Sequence, residues 1–108
     1  MRIGAALIEL YLPDADSLKA RRRVARSVAD RLRQRFRVSV AEVGDPGDRH
    51  RVQLGLALVG GQGDALRGRL EKMVRFVEGM GLADVVADDV IVASLDELED
   101  EGDEEDSE

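Results

Sequence analysis

Residues 36–60, FRVSVAEVGDPGDRHRVQLGLALVG, set two alternating runs on either side of a turn-rich hexapeptide. Apolar and polar side chains alternate in 36–44, and more strongly in 51–60 through Val52, Leu54, Leu56 and Leu58. Side chains of a strand repeat every two residues, so both runs predict strands. Between them, DPGDRH carries the Asp, Pro and Gly of a hairpin loop. What flanks this hairpin decides the fold.

Upstream, residues 2–12 predict a strand with Gly4, Ala6, Ile8, Leu10 and Leu12 on one side and Ile3, Ala5, Leu7, Glu9 and Tyr11 on the other. Both sides are largely apolar, as a central strand requires. LPDADS turns the chain, and Ser17 is placed to cap a helix. In that helix Leu18, Val24, Ala25, Val28, Ala29, Leu32 and Phe36 recur at helical spacing. Downstream, GGQGD leads into a second helix, with Leu66, Leu70, Met73, Val74 and Val77 inward and Gly81 near its end. Residues 84–93, DVVADDVIVA, predict a last strand in which Asp88-Asp89 marks a bulge or bend. The order is β-α-β-β-α-β. Right-handed crossovers then place two helices on one face of a four-stranded antiparallel sheet, the ferredoxin-like arrangement of the α+β class.

The chain of 108 residues is sized for one domain, which the pattern assigns to residues 1–95. Tyr11, Phe36 and Phe76 are its only aromatics, so Val, Leu, Ile and Ala must build the core. The absence of cysteine excludes disulfides and thiol chemistry. MRIGAALIEL lacks the long apolar core and small-residue cleavage site of a signal peptide, and no stretch approaches the ~18 apolar residues of a membrane span. A cytoplasmic protein is expected.

Net charge is −7, but it is unevenly spread. All 16 Lys and Arg lie in residues 1–95, against 13 acids, whereas residues 96–108 hold ten acids and no base. That acidic tail is expected to be disordered or a frayed helix. Residues 17–36, SLKARRRVARSVADRLRQRF, hold eight bases and one acid. The folded body is therefore mildly basic, and its positive charge concentrates on the first helix.

Residues LPDADSLKARRRV, RFRVSVAEVGD and the later RFVE, following an apolar first strand, resemble the YlxP-like family of small bacterial proteins. The resemblance spans roughly residues 1–93. It implies a ferredoxin-like fold and, because genes of the family often adjoin translation-initiation and ribosome-maturation genes, an RNA or ribosomal setting. It supplies no catalytic residues. Ala20 departs from the family pattern, which has Glu there, so the Ser17 cap lacks its reciprocal partner.

On a helical wheel with Leu18 at zero, Lys19, Arg22, Arg23, Arg26 and Arg33 fall between about 40° and 140°, beside the apolar stripe centred near 320°. Such a basic stripe suits the phosphate backbone of structured RNA, although charged stripes are also the ordinary outside of helices. Gly61 and Gly63, ahead of the second helix, offer backbone amides to an anion, but no Lys-Ser/Thr follows as a phosphate loop requires. His50 with Glu42, Asp45 and Asp48 is too sparse for a metal set, and no nucleophile motif surrounds any serine. No catalytic residue, metal or cofactor is therefore assigned.

The open sheet face has no aromatic on the two central strands to stack bases, yet Ile3, Ala5, Leu7, Ala57 and Val59 leave it apolar. A homodimer through this face is one way to cover it. The leading expectation is a non-enzymatic module that contacts RNA or a ribosomal particle through the first helix. The alternative is a protein-interaction or small-ligand regulatory domain that uses the open sheet, with the first helix merely solvated.

Overall fold

A computed structural model describes residues 1–98. The chain runs β1 (Arg2–Tyr11), α1 (Leu18–Phe36), β2 (Ser39–Glu42), β3 (Arg51–Gly60), α2 (Leu66–Met80) and β4 (Asp84–Ser94). The four strands form one antiparallel sheet in the order β2-β3-β1-β4, the expected ferredoxin-like α+β architecture. Residues 95–98 close the described chain with a helical turn, and the Leu95 amide donates to the Met1 carbonyl. The expected acidic tail falls mostly on residues 99–108, outside the described residues.

Alternation sorts each strand onto two faces. Ala6, Ile8 and Leu10 of β1 and Val52, Leu54 and Leu56 of β3 point under the helices and are buried. Val28 and Leu32 of α1 and Leu70, Met73 and Val77 of α2 meet them and close the core. Gly4 lets α2 come close: a Cβ there would stand 3.0 Å from Leu70 Cδ1. Over the sheet, α1 lies toward β2 and α2 toward β1 and β4. The opposite face has no helix, and its Leu7, Val59 and Ile91 are exposed.

Ser17 caps α1 as expected, its Oγ accepting from the Ala20 amide at 3.0 Å. Both bounds of the second strand and the irregularity of the last differ from the sequence pattern. Phe36 ends α1 and does not open a strand, because Arg37 adopts the left-handed conformation (φ 52°) and its amide donates to the Arg33 carbonyl. The second strand is therefore only Ser39–Glu42, and residues 43–50 form the loop. The irregularity of the last strand is not at Asp88-Asp89, which pair in register with Ile8 and Leu7. It falls at Val86, between the pairs Glu9–Ala87 and Leu10–Val85.

Candidate nucleic-acid interface

Of the eight bases on α1, one is not on its surface at all. Arg21 is fully buried, about 300° round the wheel and so inside the apolar stripe. Its side chain reaches under the β2–β3 loop. Nε donates to the carbonyls of Asp48 and Arg51, and Nη2 to those of Asp45 (3.1 Å) and Arg51 (3.0 Å). Nη2 also pairs with the Glu42 carboxylate, which neutralises the buried charge. Nη1 is buried and finds no partner among the described residues.

The loop is pinned at its far end as well. The Leu12 amide donates to the His50 carbonyl at 2.8 Å, and His50 Nδ1 lies 3.0 Å from the Leu12 carbonyl. Within the loop, Asp45 Oδ1 accepts from the Gly47 amide and Asp48 Oδ1 from the His50 amide. His50, Asp45 and Asp48 thus hold the backbone of the turn. Among the described residues no three such side chains converge as metal ligands.

With Arg21 drawn inward, Arg22 and Arg26 form a crest between two depressions. Lys19, Arg22, Arg23 and Arg26, with Ser27 and Asp30, line an outer groove of about 470 Å³ along the solvent face of α1. On the other side Arg22, Arg26 and Arg33 stand over a cleft of about 340 Å³ between α1 and the hairpin. Its floor is the buried Ala25, Ala29 and Leu54, its far wall carries the exposed Pro46, and Arg21 and Glu42 complete it.

Four of the five stripe residues therefore share one groove. Arg33 does not belong to it. Its guanidinium is held by Asp30 at 3.0 Å and by the Val40 carbonyl at 2.6 Å, which turns it toward the hairpin. That ion pair also engages the one acid in the stripe. On another side of α1, Arg35 lies over the edge-to-face pair Phe36 and Phe76.

Gly61 and Gly63 are exposed in a turn closed by the Asp64 amide on the Gly61 carbonyl, with Gly63 at φ 81°. The Asp64 carboxylate lies at this turn, where it disfavours a second anion, and approaches Arg69 at 3.5 Å. The turn follows Gly60, which pairs with Arg2, whereas α1 begins beyond Tyr11 at the opposite end of β1. The two anion-binding candidates thus sit at opposite ends of the sheet.

Sequence reasoning missed Arg21 and the cleft. The signal for Arg21 was present: an arginine at a core angle of an amphipathic helix must find partners or distort the packing. The cleft had no such signal, since its two walls are far apart in sequence.

Two comparisons bear on this chain. The family model described as "Protein of unknown function (DUF503)" matches residues 3–90. The "Uncharacterized protein YlxP" of Bacillus subtilis (strain 168) is 30% identical over 76 residues, covering 70% of this chain and 83% of that protein. The match takes in β1, α1, the hairpin, α2 and most of β4, so it includes the Arg21 anchor and both depressions. The chain belongs to the YlxP-like family of proteins of unknown function.

Proposed function

We propose that the chain is a cytoplasmic, non-enzymatic module that contacts structured RNA through α1, in a translation or ribosome-assembly setting. One observation carries the reading. Lys19, Arg22, Arg23 and Arg26 are exposed along one groove whose single acid, Asp30, is already engaged by Arg33. A stripe of four cations, none of them ion-paired among the described residues, is the electrostatic footprint of phosphate contact. The ribosomal setting rests on the family resemblance. No helix among the described residues is long and apolar enough to cross a membrane.

Titration of a structured RNA across a range of salt tests the proposal. About four phosphate contacts predict a slope of roughly −3 to −4 in log affinity against log salt. A slope near zero, or no retained RNA, would remove it.

A second reading is supported by the uncovered face of the sheet. Leu7, Val59 and Ile91 are 39%, 62% and 59% exposed on three adjacent strands, which fits a homodimer closed through this face. Light scattering of wild type and Val59→Glu distinguishes a dimer from a monomer.

A further inference from the structure

The cleft between α1 and the hairpin differs in chemistry from the outer groove, although Arg22 and Arg26 belong to both. The outer groove is lined by charged and polar side chains alone. The cleft has an apolar lining of Ala25, Ala29, Leu54 and Pro46 beside four arginines, of which Arg21 is buried and paired with Glu42. Its volume of about 340 Å³ lies at the small end of ligand sites, enough for one planar group and too small for a duplex. Apolar side chains edged by arginines suit a nucleobase, because bases stack on arginine as they do on aromatic rings. The same arginines supply the donors for the attached phosphate.

We propose that this cleft holds a single nucleotide unit, its base over Ala25, Ala29 and Pro46 and its phosphate on Arg22 and Arg26. This rests on the RNA reading above and deepens it: the preferred RNA presents one unpaired nucleotide, while its paired stem runs along the outer groove. A small alanine at both α1 positions of the floor leaves the space open, and the Arg21 anchor fixes the far wall by holding the loop that carries Pro46. Glu42 sets the limit on affinity. Its partly exposed carboxylate stands in the cleft, neutralising Arg21 while opposing any phosphate that enters.

The test uses fluorescence anisotropy on the full chain with three probes: a perfect RNA stem-loop, the same stem-loop with one bulged nucleotide, and AMP. Expected is about tenfold tighter binding of the bulged stem, with AMP competing away the difference. Glu42→Gln keeps an oxygen for Arg21 to donate to and removes the charge. It should tighten the bulged stem about fivefold and the perfect stem clearly less. Glu78→Gln on the exposed face of α2 makes the same change in net charge and should alter neither. Thermal melts of both variants check that they are folded.

Equal affinity for the two stems overturns the cleft proposal and leaves phosphate contact by α1 standing. If neither stem binds, the RNA reading falls. AMP binding that tightens in Glu42→Gln would then make the cleft a site for the free nucleotide. Loss of all three ligands overturns both.

Discussion

The two helices hold equivalent places in the two βαβ halves, yet their surfaces are built differently. α2 carries Arg67, Arg69, Lys72 and Arg75 against Glu71 and Glu78, and every residue it buries is apolar. α1 carries eight bases against one acid and buries one of them, Arg21, in its core stripe. α2 shows what the fold alone demands of such a helix: an apolar stripe, a mixed outer face and a glycine at the end, here Gly81 at φ 68°. The excess on α1 is beyond that demand. One arginine of it organises the hairpin, and the remainder faces solvent.

The largest effects should be shared by both halves. Leu32→Ala in α1 and Leu70→Ala in α2 remove fully buried side chains, and each should cost about 2–5 kcal/mol in urea unfolding. A loss below about 1 kcal/mol in either would mean that its helix is not packed on the sheet as described.

Arg21→Met should cost about 2–4 kcal/mol, a loss with no counterpart in α2. It leaves the Glu42 carboxylate and three backbone carbonyls without their donor. Trypsin cleavage after Arg49 should also accelerate, since the loop loses its anchor. Buried ion pairs can sometimes be replaced by apolar groups at a gain. Increased stability in this variant would break the comparison, because Arg21 would then be dispensable to the fold.

The caps sharpen it further. Ser17→Ala should lose about 1 kcal/mol, while Ala65→Ser should gain up to about the same, because α2 starts without a side-chain cap. The smallest effect on stability belongs to the pair Arg22→Glu and Arg26→Glu, expected within about 0.5 kcal/mol of wild type. RNA retention at low salt should nevertheless be lost. Lys72→Glu with Arg75→Glu makes an equal charge change on α2 and should leave retention intact. Equal loss in both would assign binding to net charge and not to α1.

Period and composition made the fold legible. β3 could be bounded from Val52, Leu54, Leu56 and Leu58 alone, and the inward face of α2 from Leu66 to Val77. The start of β2 at Ser39 was not legible, because an arginine in the left-handed conformation carries no sequence mark as glycine does. The bulge at Val86 was also hidden, since a bulge is a property of the pairing with β1 and both strands read smoothly through it. In the candidate interface, the angular position of Lys19, Arg22, Arg23 and Arg26 followed from their spacing. Arg33 left that set because a carbonyl of β2 captures it, and the cleft needs residues 21 to 54 brought together. Local periodicity does not report contacts of that range.

The bulge in β4 has a consequence for how copies of the chain meet in a crowded solution. β4 is the long outer edge of the sheet, and no strand lies beyond it among the described residues. Such an edge is a template for a fifth strand from another molecule, and so for fibrous assembly. Two features oppose that addition here. Val86 interrupts the ladder and twists the edge, and Asp84, Asp88 and Asp89 stand exposed along it. A like strand approaching would set its own aspartates against these before any backbone bond could form. The doublet Asp88-Asp89 thus sets charge against edge pairing, at a place where side chains chosen only for strand propensity would have been valine or isoleucine.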